Sequence, residues 1–160
     1  MVFETGELEI DIQDIINRSD LSSNTKTKLL KSKIIFLPAS FSVRPHRGDF
    51  PSDTPNLVRY LRTTHPELEF SLFENAGQEK IQAQHAADII LPPIFFLVQD
   101  YSVQIAISIF SAYLYDRFKG VPDLGKRKVK LEILEGSLGS IKIKITRYEG
   151  PVEGMEKLKK

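Results

Sequence analysis

Between Ala87 and Phe118 the chain reads ADIILPPIFFLVQDYSVQIAISIFSAYLYDRF, the most apolar segment in the sequence. Such a run can span a membrane, fill a core, or meet a partner. A spanning helix needs about 20 consecutive, mostly apolar residues. Pro92, Pro93 and the pair Gln99, Asp100 cut the run into pieces of about ten, too short to cross a bilayer. No transmembrane span is therefore expected. In the second piece Val103, Ile107, Phe110, Leu114 and Phe118 recur as one helical stripe, and Ile105, Ile109, Ala112 and Tyr113 make the helix apolar on nearly every side. A helix of this kind is expected to be buried all round. Its first reading is a central core helix. Its second is an interface, in an oligomer or with a larger partner protein, through that stripe.

The remaining chain is long enough to support such a core. A protein of 160 residues is one ordinary domain and buries roughly 70 % of the surface its unfolded form exposes. Hydrophobic residues make up 41 % and charged residues 27 %, far from the regime in which chains stay disordered. Twenty-two basic and twenty-one acidic side chains leave a net charge of +1, so no global field draws the chain to nucleic acid or anionic lipid. The sequence contains no cysteine, which excludes disulfides, thiolate zinc sites and a cysteine nucleophile, and fits a cytoplasmic location. The opening MVFETGELEI has no basic segment ahead of an apolar one, so no secretory signal is expected.

Periodicity then divides the chain. In ELEIDIQDIINRS, Leu8, Ile12, Ile15 and Ile16 follow helical spacing while Leu8, Ile10 and Ile12 also alternate as a strand would; the helix is the reading adopted. Ser22 and Ser23 cap a second helix carrying Leu29 and Leu30, so 1–32 forms a helical N-terminal segment. KIIFLPA reads as a buried strand. A turn-rich loop follows, then an amphipathic helix with a Ser or Asp N-cap, Pro55 in its first turn, and Pro66 as its stop. ELEFSLFE alternates Leu68, Phe70 and Leu72 with Glu67, Glu69 and Ser71, predicting a strand packed on one face. QEKIQAQHAA is a helix former, DIILP a third strand, and a helix starts at about Ile94 or Tyr101 and ends at Phe118. Together 33–120 form an α/β part. KVKLEIL and SIKIKIT, joined by EGSLGS, predict a β-hairpin over 126–148, with a terminal helix or tail at 151–160. The expected fold is a single small α/β domain of two or three layers, with short, mostly parallel strands and an antiparallel C-terminal hairpin.

The strongest candidate for chemistry is the loop SFSVRPHRGDFPSD, between the first buried strand and a helix start. Ligands gather outside the carboxyl ends of strands in open α/β sheets, and a helix N-terminus favours an anion. Ser40, Ser42, Arg44, His46, Arg47 and Asp49 offer donors, two permanent positive charges, an imidazole and an acceptor, a set that suits a phosphate or nucleotide. The same residues also serve as turn and cap formers with solvated arginines. The adhesion tripeptide Arg47, Gly48, Asp49 is too short to count. Glu74 ends the second buried strand and Asp88 precedes the third; Glu74 is the alternative acid, base or nucleophile, and a solvated strand-end carboxylate is its plainer reading. His46, His65 and His85 share no ligand spacing, so no metal site is expected, and no phosphate-loop, dinucleotide or nucleophile-elbow motif occurs, so no cofactor is expected either. In the hairpin, alternation is expected to set Val129, Leu131, Ile133, Ile141, Ile143 and Ile145 on one face. Lys128, Lys130, Lys142 and Lys144 then lie opposite, with Lys126 and Arg127 just before. This basic stripe lacks interleaved aromatics and serves to keep a solvated edge soluble, so no specific nucleic acid is expected as a partner.

The order of a small α/β unit, the apolar penultimate helix SVQIAISIFSAYLYDRFKG, a hairpin and the closing YEGPVEGMEKL resembles the small effector-associated components of prokaryotic conflict (defence) systems over roughly the last hundred residues. That resemblance implies a non-enzymatic adaptor or signalling module and transfers no site residue. The strand, loop and helix at the start of the α/β part are similar to nucleoside deoxyribosyltransferase and TIR-type folds, which implies Glu74 as the residue to suspect.

Overall fold

The computed structural model describes residues 2–39, 41, 48–82, 89–97, 103–117, 119–120, 122, 127–139 and 141–159. In chain order these form β1 (Val2–Glu9), α1 (Ile12–Arg18), α2 (Ser23–Lys31), β2 (Ile34–Phe36), α3 (Thr54–Thr64), β3 (Phe70–Leu72), β4 (Ile89–Ile90), β5 (Ile94–Leu97), α4 (Val103–Arg117), β6 (Lys128–Gly136), β7 (Lys142–Pro151) and a terminal 3-10 helix (Val152–Lys159). All seven strands join one mixed sheet in the order β1-β7-β6-β5-β2-β3, with β4 also on β6. The β1/β7, β6/β7 and β2/β5 pairs are antiparallel, whereas β2/β3, β5/β6 and β4/β6 are parallel. The sheet is thus mixed rather than mostly parallel, because β1 and β7 add long antiparallel ladders to short parallel ones.

Local chemistry accounts for the helix starts. Asp11 Oδ1 accepts from the Gln13 N–H at 3.0 Å to open α1, and Ser22 Oγ accepts from the Thr25 N–H at 3.2 Å to open α2. Pro55 occupies the first turn of α3, where a missing N–H costs nothing. Pro92 and Pro93 lie between β4 and β5, which take successive lengths of β6: Ile89 and Ile90 face Val129 and Lys130, and Ile94 to Leu97 face Ile133 to Gly136. The prolines lack the N–H that a continuous ladder would need at this join.

Residue parity sorts the sheet into two cores. On one face Ile34, Phe36, Ile94, Phe96, Val129, Leu131, Ile133 and Tyr148 pack under α3, α4 and the terminal 3-10 helix. On the other, Ile35, Leu37, Phe95, Leu134, Ile143 and Ile145 pack under α1 and α2 through Ile12, Ile16 and Leu29. Strand β2 reads as an unbroken apolar run because both its faces are covered. Ile107, Phe110 and Leu114 are buried in the first core, so the stripe expected to meet a partner lies instead against the chain's own sheet. Val103 opens α4, and Phe118 lies outside the described residues. Nor is α4 buried all round, since one helical layer covers this face and leaves Ile105 47 % and Tyr115 49 % exposed. Among the described residues no helix is long and apolar enough to cross a membrane.

Other expectations need correction. The N-terminal segment is not purely helical: Leu8 belongs to β1, and the helix starts only at Ile12, after the Asp11 cap. Residues 94–97 are a strand, so the α4 start lies near the Tyr101 alternative. Residues 78–82 are not helical, with Ile81 bridged to Phe50, while 83–88 lie outside the described residues. Ser71 is buried against α2, where its hydroxyl meets that of Ser32 at 2.6 Å, so β3 is covered on both faces. In the hairpin Leu134 faces Ile145 and Ile133 faces Thr146, which places Val129, Leu131 and Ile133 on the face opposite to Ile143 and Ile145. The lysines are divided likewise, Lys128 and Lys130 on one face and Lys142 and Lys144 on the other, so these four do not form a single stripe.

One row of the sheet carries a titratable weak point. Phe96, Glu135, Lys144 and Glu7 lie side by side across four strands. Glu135 Oε1 is buried and has no hydrogen-bond partner among the described residues. Burial raises its pKa above the ordinary 4.5, and Lys144 only partly opposes that shift. A raised folded-state value means stability fully present below the unfolded pKa and lost as pH climbs through the folded one. Glu135→Gln is expected to stabilise the fold by about 1 kcal/mol at neutral pH and to flatten the stability–pH curve above 4.5, measured by urea unfolding from pH 4 to 8.

Candidate functional site

A wide cleft opens at the C-terminal ends of the parallel neighbours β2 and β3. It has a volume of about 1020 Å³, with Phe73 at its base, Asp14, Ile15 and Arg18 of α1 on one wall, and Gly48, Asp49 and Lys80 on the other. Within the candidate loop Phe41 and Phe50 are both fully buried, and Phe41 meets Phe73 edge-on at 5.5 Å. The returning strand of the loop is tied down by the backbone: the Ala39 N–H donates to the Asp49 carbonyl (2.9 Å), Phe50 to Lys80 (2.7 Å), and Gln82 to Phe50 (2.8 Å). Residues 49–50 are therefore tied to Ala39 after β2 and to residues 80–82 after β3.

Asp49 is the one predicted ligand residue within the described structure, and it does line this cleft. Ser40, Ser42, Arg44, His46 and Arg47 lie outside the described residues, as do Asp88 and His85. The described lining carries five carboxylates, Glu9, Asp11, Asp14, Asp20 and Asp49, against Arg18 and Lys80. Arg18 is already engaged with Asp14 at 3.1 Å. This described lining is predominantly acidic and repels a phosphate. Sequence reasoning missed the acidic wall, because α1 is remote in sequence from the loop it faces.

Glu74 differs from its plainer reading and from its company. It is only 7 % exposed, and its Oε1 accepts from the Asn75 N–H at 2.8 Å, while Asn75 Oδ1 accepts from the Ser22 N–H at 2.9 Å. A strand-end carboxylate becomes buried here because α2 folds back over the end of β3. Its side chain lines a separate, smaller cavity with Lys28, Arg62 and Glu79, so the structure does not bring Glu74 and Asp49 into one site. Among the described residues no group of three or more His, Asp or Glu is arranged to hold a metal ion.

No family model, curated protein or solved structure matches this chain. Chemistry must therefore be read from the residues themselves. Asp53, at the N-cap position of α3, makes no side-chain cap; its carboxylate accepts from the Tyr113 hydroxyl of α4. Burial, followed by the Asp53 carboxylate, raises the Tyr113 pKa well above the ordinary 10.0, so the phenol stays a donor at every physiological pH. Tyr113 also meets Tyr60 of α3 edge-on at 5.3 Å, so this contact locks α3 to α4. Tyr113→Phe is expected to cost about 1.5 kcal/mol by urea unfolding, the usual loss for a hydrogen bond to a charged acceptor.

Proposed function

We propose that the chain is a cytosolic, non-catalytic interaction module, an adaptor of a defence or signalling effector, which takes an extended segment onto the outer edge of β1. The observation that carries this reading is an open edge eight residues long. Among the described residues β1 ends the sheet, pairs with β7 alone, and exposes residues 3–7 along its length, with Phe3 53 % exposed. Folded proteins usually protect such an edge with charged side chains, proline, a bulge or a covering element; VFETGELE contains no proline or lysine, and its charges are the carboxylates of Glu4, Glu7 and Glu9. Strand addition to a free edge is a recurrent recognition mode in which backbone groups supply affinity and alternate side chains supply specificity. The adaptor role rests on the resemblance of layout described above.

Successive N–H groups in a strand point to alternate edges, so of Thr5→Pro and Gly6→Pro one removes an N–H facing β7 and the other an N–H facing outward. The inner variant lowers the melting temperature. The outer variant stays folded and is expected to abolish assembly with the chain itself or with identified products of neighbouring genes, measured by sedimentation and co-purification. A strict monomer that joins none of them, or assembly indifferent to the outer proline, would overturn the reading.

A second reading, a protein or enzyme of nucleotide or phosphorylated-ligand chemistry, is favoured by the position of the large cleft at the ends of β2 and β3. On that reading a nucleotide at a hundred times its Kd stabilises the fold by about 2.7 kcal/mol in a thermal-shift screen, and Arg47→Ala removes the effect. No shift with any nucleotide sinks it.

A further inference from the structure

The inner edge of β1 is already occupied, and its occupant shows which side chains this strand accepts. Across the β1/β7 ladder Glu9 faces Lys142, Glu7 faces Lys144, Glu4 faces Arg147, Thr5 faces Thr146 and Phe3 faces Tyr148. Every acid of β1 thus has a cation directly opposite, and its aromatic has an aromatic. Opposite charges at directly facing positions stabilise a strand pair, and like charges there destabilise it. Yet the cations of β7 are shared. Arg147 Nε reaches Glu132 of β6 at 3.2 Å, and Lys144 also acts on Glu135. No ion pair or hydrogen bond joins the side chains of Glu4, Glu7 or Glu9 to another described residue.

A strand shows the same side chains to both neighbours, since these stand above and below the sheet rather than in its plane. From this we infer that the natural occupant of the outer edge is a basic extended segment of a partner protein. It runs antiparallel to β1 and carries Lys or Arg opposite Glu9, Glu7 and Glu4, with an apolar or aromatic residue opposite Phe3. Read from its own N-terminus, the pattern is basic, any, basic, any, any, basic, apolar, which β7 itself satisfies as Lys142–Tyr148, KIKITRY. A second copy of this chain fits less well, because it brings three more carboxylates to a seam that already holds three.

The inference rests on the edge-docking reading, and three peptides separate the two. One carries KIKITRY, the second replaces its Lys and Arg by Gln, and the third replaces them by Glu. Binding of each labelled peptide to the whole protein is followed by fluorescence anisotropy at low and high salt. The basic peptide is expected to bind roughly tenfold or more tightly than the Gln peptide, from three facing charge pairs. It should weaken with salt, bind poorly to the double variant Glu4→Gln, Glu7→Gln, and not bind the outer-edge proline variant, which also separates outer docking from exchange with β7. Equal binding of basic and Gln peptides, both blocked by the outer proline, overturns the charge inference and leaves the edge reading standing. Binding of none of the peptides, with the outer proline also indifferent for assembly, overturns both. Self-association through β1 that the basic peptide cannot displace overturns the inference in favour of a second copy.

Discussion

Strand β6 is the constraint on which the rest of the molecule depends. It pairs with β7 along one edge and with β4 and β5 along the other, and through these two contacts it joins β1 and β7 to β2, β3 and β5. Without it the sheet separates into β1/β7 and β5/β2/β3, with β4 left unpaired. Its own sequence explains the role: Val129, Leu131 and Ile133 supply the core beneath α4, and Leu134 supplies the core beneath α1 and α2. Gly136 completes the fit, since a Cβ there would stand 3.1 Å from Ile143 and 3.5 Å from Phe95.

Much of this architecture was legible in the sequence, and the failures have definite causes. β2, α2, α3 and the strands at 128–151 announce themselves through caps, prolines and periodicity that agree with one another. Leu8 and Ile12 satisfy both periods, and the Asp11 side chain, turned to the Gln13 N–H, marks where strand gives way to helix. The four residues of β5 form an apolar run that periodicity cannot distinguish from a buried helix turn. Alternation in β6 and β7 fixed parity within each strand but not across the turn, where a shift of one residue exchanges the faces; the Leu134 to Ile145 register exchanges them here.

The candidate site was legible in position rather than in composition. The turn-rich loop after β2 does border the wide cleft through Gly48 and Asp49. The opposite wall comes from α1, which no local pattern links to that loop, and the burial of Glu74 depends on α2 and Asn75 meeting at the end of β3. Long-range contacts of this kind leave no mark on the periodicity of either segment. The exposed edge of β1 was hidden for the same reason, since an edge is a property of strand order.

The pairing of β1 with β7 has a consequence for how the molecule comes into being. Val2 lies opposite Glu149, so β1 emerges from the ribosome long before the strand that completes it. Contacts this distant in sequence carry a large loop-closure cost and slow folding. During synthesis the acidic strand must wait with both its edges open until Lys142–Pro151 has emerged. β1 therefore presents two unpaired edges while β7 is still being made, and among the described residues a single one once β7 is in place.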